Sequence, residues 1–417
     1  MRTLKNALRA ILPEFCISAY HLFLAECATL LFRHPSRHML VVAVTGTKGK
    51  SSVTEMVAAI LEAAKFRTAL VNSIRFKIGE WSEPNTTRMS MPGRFFLQRF
   101  MRRAYADDCD AMIIEMTSEG ARQHRHRGIE LDALIFTNLA PEHIESHGSL
   151  EAYANAKFEI GLALARSRKR ERYIVANAGD SESARFLALP VEHALPFSLD
   201  NHAPWEATPE GGYFTLDGQR ISITLPGEFS LKNALAAATL TRAIGVKPAV
   251  IASALGTIRT IPGRAERVEA GQDFTVVVDY AHTPDSLKAI YEAYAGRRRI
   301  CVLGATGGGR DKWKRPVMAG VADSLCDAII LTDEDPYDED PRAIVDELAA
   351  GIKQHSPEII MDRREAIARG IALAQSGDAV IITGKGTDPS IARAGGTKEP
   401  WSDARIAREE IVKRHAI

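Results

Sequence analysis

The sequence predicts an α/β protein of two successive domains: a P-loop central domain with a parallel sheet, then a C-terminal Rossmann-like α/β domain. Three observations predict it. Short apolar, β-branched runs alternate with helix-period stretches from residue 40 almost to the end, the pattern of buried strands joined by crossover helices. A glycine-rich loop separates the first such run from the first helical stretch. The alternation restarts near residue 265, so a second sheet follows the first. The expected boundaries are 1–39 for an apolar N-terminal helical segment, 40–264 for the central domain and 265–417 for the C-terminal one.

A chain of 417 residues, 46% of them hydrophobic, has material for several ordinary cores. Lysine and arginine total 53 against 52 acids, a net charge of +1, so no global field favours nucleic acid. The five cysteines show no C-x-x-C spacing and read as reduced, mostly buried thiols of a cytoplasmic protein. Residues 14–32, EFCISAYHLFLAECATLLF, raise a membrane question. Glu14, His21 and Glu26 interrupt the run and no small-residue cleavage site follows, which argues against a secretory signal. Three readings stand: a helix packed on the next domain, a peripheral contact at the inner face of a membrane, or a true span.

The first strand is expected over Leu40–Val44 and ends in Thr45-Gly46-Thr47-Lys48-Gly49-Lys50-Ser51-Ser52, with a helix from Val53. Strand, glycine loop and helix is an arrangement that holds nucleotide phosphates. Glycines let backbone N–H groups approach the anion, and the helix N-terminus adds its positive dipole end. Lys50 would reach the terminal phosphates, and Ser51 or Ser52 would ligate Mg²⁺. The general spacing G-x-x-x-x-G-K-[ST] is not met, because Val44 stands where its first glycine belongs.

Further strands are expected at Ala111–Met116, Ala133–Asn138 and Tyr173–Asn177, with ligands at their carboxyl ends. Glu115 lies at such an end, either as a buried acid paired with Arg or Lys or as a Mg²⁺ ligand facing the loop. Residues 137–148, TNLAPEHIESHG, place His143 among acids just past a strand, company that favours a metal ligand. Tyr153-Ala154-Asn155-Ala156-Lys157 follows on a helix.

Taken in order, the T-G-T-x-G-K-[ST] loop, E-x-[ST]-S, T-N-L-x-x-[DE]-H-[LI]-[DE]-x-H-G and Y-x-x-A-K resemble the Mur ligase superfamily, most closely its UDP-N-acetylmuramoyl-tripeptide synthetase (MurE) branch. The resemblance implies that Glu115 and His143 bind Mg²⁺ and that Lys157 is carbamylated, its added carboxylate holding a second metal. Gly46 to Ser52 and Asn233 would bind ATP. Asn85-Thr86-Thr87 resembles N-T-T-P with Arg88 replacing Pro, and residues 117–125 resemble S-S-H-G-L-x-Q-x-R. By that likeness Thr86, Thr87, Thr117, Gln123 and Arg125 contact a muropeptide-like acceptor.

In the C-terminal part, Gly263-Arg264-Ala265-Glu266 resembles the family's G-R-x-[EQ], with Arg264 on ATP phosphates. Strands are expected at Phe274–Asp279, Arg299–Gly304, Ala328–Thr332 and Ala379–Thr383. Asp279-Tyr280-Ala281-His282-Thr283-Pro284 matches D-Y-A-H-x-P, which implies hinge-side ATP contacts for Asp279 and His282. The match weakens at the incoming amino acid. The family's D-N-P-R is Glu334-Asp335-Pro336-Tyr337 here, and G-K-G-H-E is Gly384-Lys385-Gly386-Thr387-Asp388. Asp335, Tyr337 and Asp388 would line that pocket, whose acidity favours a basic amino acid.

The resemblance covers residues 40–417, and the expectation is a chain without the family's N-terminal UDP-binding domain. The implied activity is an ATP-dependent amide-bond ligase working through an acyl phosphate, with ATP and Mg²⁺, acting as a cytoplasmic monomer. Alternatives are a lipid-linked or non-murein peptide acceptor (MurT-like or folylpolyglutamate-synthase-like), or a non-catalytic nucleotide-binding scaffold in wall assembly.

Overall fold

The computed structural model describes residues 13–142, 144–309 and 311–415. Its contacts divide the chain into two compact units. One comprises the residues up to 139 with 148–201 and 233–254; the other comprises 140–147, 202–232 and 255 onward.

In the first unit, helix α1 (Glu14–Leu31) precedes strand β1 (Leu40–Thr45), and α2 (Lys50–Ala63) follows the glycine loop. Then come β2 (Thr68–Val71), β3 (Arg75–Ile78), β4 (Trp81–Pro84), α3 (Arg94–Ala106), β5 (Ala111–Glu115), the short α4 (Ser118–Arg122), β6 (Ala133–Phe136), α5 (Leu150–Ala165), β7 (Tyr173–Asn177) and β8 (His193–Phe197). The strands form one sheet in the order β4-β3-β2-β5-β1-β6-β7-β8. Val41, Ala43, Met112, Ile114, Leu134 and Phe136 face one core, with Leu97 and Met101 of α3 and Ile160 and Leu164 of α5.

The sheet is mixed rather than wholly parallel, because β3 and β4 pair antiparallel at one edge. The Asn72 side chain accepts from the amides of Ile74 (2.9 Å) and Arg75 (2.8 Å), reversing the chain after β2. Gly79, at φ +53°, makes the next tight turn.

α1 lies on the sheet's own unit, with Ala25, Ala28 and Thr29 buried. Gln98 of α3 donates to Thr29 Oγ1 at 3.2 Å. Among the described residues no helix is long and apolar enough to cross a membrane, so the spanning reading of 14–32 falls.

The second unit holds a small antiparallel sheet of β9 (Glu206–Thr208), β10 (Gly211–Leu216) and β11 (Gln219–Ile223) that the strand pattern did not predict. α6 (Gly227–Ala243) follows, its residues from Asn233 counting with the first unit. Then come β12 (Glu266–Arg267), β13 (Thr275–Asp279), α7 (Pro284–Glu292), β14 (Arg299–Leu303), α8 (Lys314–Leu325), β15 (Ala328–Leu331), α9 (Pro341–Ala349), β16 (Glu358–Ile359), α10 (Arg363–Leu373), β17 (Ala379–Thr383), the β18–β19 hairpin (Ser390–Ala392, Lys398–Pro400) and α11 (Asp403–His415).

The second sheet runs β12-β13-β17-β14-β15-β16, parallel except for β12. Val277, Cys301, Leu303 and Ile381 point to α7, α8 and α9. Val276, Val302, Val380 and Ile382 point to α10 and α11. This is the period-2 alternation of strands covered on both faces.

Contrary to the expectation from sequence, the five cysteines are not all reduced thiols. Cys301 on β14 and Cys326 just after α8 form a disulfide with Cα atoms 6.1 Å apart, whereas Cys16, Cys27 and Cys109 are free. The partners are 25 residues apart in sequence, and only the packing of α8 on β14 brings them together.

Candidate active site

The site of the first unit grows from the carboxyl ends of β1, β5 and β6. Gly46 (φ +143°) and Gly49 (φ +82°) hold backbone conformations that other residues rarely adopt. A Cβ on Gly46 would meet Thr137 Oγ1 at 2.0 Å, and one on Gly49 would meet Asn233 Oδ1 at 2.3 Å. The loop therefore needs glycine twice, and Asn233 of α6 stands against it. Thr47 N donates to Asn138 O (2.8 Å), Lys48 N to Asn138 Oδ1 (2.9 Å) and Thr137 Oγ1 to Lys48 O (2.6 Å). The loop is thus braced from β6 before any ligand arrives. No side chain caps α2, whose first turn begins at Lys50.

Two ammonium groups lie on this loop. Lys50 Nζ donates to Gly46 O (3.1 Å) and Thr47 O (2.9 Å). Lys157 of α5, buried at 2% exposure, donates to Gly46 O at 2.6 Å and sits 4.5 Å over the Tyr153 ring. Tyr153 is itself buried, with its hydroxyl 3.2 Å from Thr47 Oγ1. Glu115 pairs in register with Val44 and is 2% exposed. Its Oε2 accepts from Ser51 Oγ (2.9 Å) and Ser73 N (3.0 Å), so neutral donors hold the carboxylate beside the start of α2. Ser52 is buried in the same turn. His143 lies outside the described residues.

The structure thus brings together Gly46 to Ser52, Glu115, Lys157 and Asn233. It adds Ser73, which lies in no motif, and gives contacts to Thr137, Asn138 and Tyr153, motif residues to which the sequence assigned no role.

The other predicted residues of this unit make a second group. Thr86 and Thr87 are exposed, and Thr87 Oγ1 donates to Asn85 Oδ1 at 2.6 Å. Thr117 caps α4, accepting from Gly120 N at 3.1 Å. Gln123 bonds Glu119 (2.6 Å) and takes a bond from Arg125 (2.7 Å). Arg125 also donates to Met91 O, and burial lowers its pKa. Arg94 ties Gln123 O (2.8 Å) to His21 of α1 (2.9 Å). Each of these side chains also shapes its own loop.

In the second unit Arg264 stacks on Tyr280, 4.4 Å from the ring centre. Asp279 Oδ2 accepts from Ala265 N (2.6 Å) and Oδ1 from Ala281 N (2.7 Å). His282 Nε2 lies 2.7 Å from Glu142 Oε1, and its Nδ1 lies 2.6 Å from Tyr280 O.

At the ends of β15 and β17, Lys385 is fully buried. It donates to Asp335 Oδ1 (2.8 Å) and Ser390 O (2.8 Å), and it lies 3.6 Å from Asp388. Asp335 also accepts from Ala392 N at 2.7 Å. Tyr337 is half-buried at φ +53°. Buried Glu334 takes the Thr306 hydroxyl on Oε1 (2.6 Å), while its Oε2 has no hydrogen-bond partner among the described residues; burial pushes its carboxyl up.

A braced glycine loop at a strand–helix junction, with an acid and two lysines at its mouth, belongs to an α/β protein of the Mur ligase fold. The chain belongs to the Mur ligase family: residues 44–241 match the Mur ligase middle domain and 263–386 the Mur ligase glutamate ligase domain. It is 36% identical to a UDP-N-acetylmuramyl-tripeptide synthetase of Roseiflexus sp. over 97% of this chain and 85% of that protein. It is 33% identical to a UDP-N-acetylmuramoyl-L-alanyl-D-glutamate–2,6-diaminopimelate ligase of Syntrophomonas wolfei over 87% and 76%. A solved structure of a ligase of that second name superposes with a TM-score of 0.62 at 26% identity, covering 90% of this chain and 79% of the other.

Proposed function

We propose that the chain is a cytoplasmic, monomeric ATP-dependent carboxylate–amine ligase that adds an amino acid to a muropeptide-like acceptor. The observation that carries this is the meeting, at the carboxyl end of one sheet, of the braced Gly46–Gly49 turn, two lysines on its carbonyls and Glu115 held by Ser51. The family matches at 44–241 and 263–386 support it, and we take 40–264 as the ATP-binding domain and 265–417 as the C-terminal ligase domain.

In this reading the amides of Thr47 to Ser52 and the Lys50 ammonium take the ATP phosphates, with Asn233 beside the loop. Arg264, Asp279 and His282 contribute from the C-terminal part. The acceptor carboxylate attacks the γ-phosphorus, giving an acyl phosphate and ADP. The amine of the incoming amino acid then attacks the acyl carbon, and phosphate leaves from a tetrahedral intermediate. Lys50 stabilises negative charge on the transferring group, having first let go of the Gly46 and Thr47 carbonyls.

The donors fit a hard cation: Ser51 Oγ and the Glu115 carboxylate already touch, and N-carboxylation would turn Lys157 from a repelling cation into an oxygen donor. Mg²⁺ held by Ser51, Glu115, His143 and Lys157 would neutralise phosphate charge. Thr86, Thr87, Thr117, Gln123 and Arg125 face the acceptor, and Asp335, Tyr337 and Asp388 the amino acid. Because Lys385 offsets Asp335 and Asp388, their field does not by itself select a basic side chain.

The test is phosphate release with ATP, Mg²⁺, a UDP-muramoyl-dipeptide and lysine, ornithine, glutamate or diaminopimelate in turn. The expected result is release that requires both acceptor and one amino acid, with the amide product seen by mass. ATP binding without turnover on murein, lipid-linked or folate acceptors would favour a scaffold.

A further inference from the structure

The outer face of α1 is apolar where a surface helix is ordinarily polar. Phe15 is 73% exposed, Tyr20 58%, and Phe23, Leu30 and Leu31 65% each. Between Phe15 and Phe32 the only Asp, Glu, Lys or Arg is Glu26. The orientation of the helix is pinned from its other side. Ser18 Oγ lies 2.7 Å from His124 Nε2, His21 meets Arg94, and Thr29 meets Gln98. A helix that is apolar all round is covered all round, yet the described residues cover only its inner half.

The surroundings carry a matching charge. Residues 14–38 and 94–106 contain Arg33, Arg37, Arg94, Arg99, Arg102 and Arg103 against two acids, Glu14 and Glu26. Arg33, Arg37, Arg99 and Arg103 are exposed, Arg37 lying 3.8 Å from Glu130 and Arg103 over the Trp81 ring. On α3, which packs on α1, Phe95 is 40% exposed and is followed at helical spacing by exposed Arg99 and half-buried Arg102.

We propose that α1 is an in-plane docking helix for an anionic bilayer. Phe15, Tyr20, Phe23, Leu30 and Leu31 seat in the boundary between headgroups and acyl chains, and the flanking arginines meet lipid phosphates. The charge pattern speaks against a second copy as occupant, since a two-fold pairing of this face would set arginines against arginines. Docking does not depend on the ligase reading. One consequence does: Arg94 joins α1 to the segment assigned to the acceptor, so that segment would lie at the lipid surface.

The test is flotation of the full chain with vesicles of phosphatidylcholine alone or with about 30% phosphatidylglycerol, at low salt and at about 0.5 M salt. Expected is binding to the anionic vesicles that salt weakens. F23D/L30D and R99E/R102E should each cut the bound fraction on the order of tenfold while keeping the parent melting temperature. The proposal is overturned by a protein that stays below the anionic vesicles at low salt, or by binding that neither double variant changes. It is equally overturned by a lipid-free dimer that F23D/L30D dissolves, which would give the face to a second copy.

Discussion

The carboxyl-end edges of the two sheets handle charge in opposite ways. At the first, the Lys50 and Lys157 ammoniums rest on carbonyls of a glycine turn, and Glu115 is held by a hydroxyl and an amide. At the second, cations meet carboxylates: Lys385 with Asp335, Arg393 with Asp333, and Arg363 with Asp403, the last pair 1% and 0% exposed. Arg363 spans Asp403 with two bonds of 2.8 and 2.7 Å and reaches Thr383 O at 2.8 Å. A cation on a carbonyl can exchange it for a phosphate oxygen at modest cost, since the carbonyl it leaves is neutral. A buried acid–base pair gives up neither partner without stranding a charge. The first edge is therefore suited to receiving an anion, and the second to keeping its loops in shape.

That contrast is broken most severely by Arg363→Met. It strands Asp403 and should cost about 3–5 kcal/mol of stability, read by urea denaturation. Lys50→Met makes the opposite cut. Phosphate release should fall roughly 10²–10³-fold with a nearly unchanged denaturation midpoint, because the carbonyls it frees are neutral. If Lys50→Met instead unfolded the protein, the two edges would not differ as described.

The smallest effect sharpens the first unit's account of buried bases. His126 is buried, and desolvation, then Arg127, His124 and Arg166, lower its pKa from 6.5 to about 3. A depressed folded value means that stability is full above the unfolded pKa and is lost as pH falls below it. About 1.4 kcal/mol should disappear between roughly pH 7.5 and pH 5.5. His126→Phe should flatten that slope, measured by denaturation across the same range.

Much of the fold was legible because its central strands are apolar enough to declare themselves. β1, β5, β6 and β7, and β13, β14, β15 and β17, are uninterrupted apolar runs. Strands β2 to β4 and β9 to β11 were not, since they depend on turns such as the Asn72 reversal and the Asp217-Gly218 turn, whose two residues have φ of +48° and +76°. In the loop, Val44 spoils the general motif, but Gly46 and Gly49 still hold the backbone shape that glycine permits. The Ser51–Glu115 meeting could be anticipated from strand ends. Tyr153 over Thr47 and Ser73 under Glu115 could not, because each is a product of packing across the sheet. Lys385 was hidden for the same reason: its partner Asp335 is fifty residues upstream, and only the adjacency of β17, β14 and β15 unites them.

The Cys301–Cys326 bridge has a mechanical meaning. It closes a loop between two cysteines 25 positions apart that includes residues 304–309 and α8. When the chain is drawn out from its ends, that stretch stays looped, and roughly 80–90 Å of contour never pays out. The second sheet thus carries a length of chain that tension cannot extend while the bridge is intact.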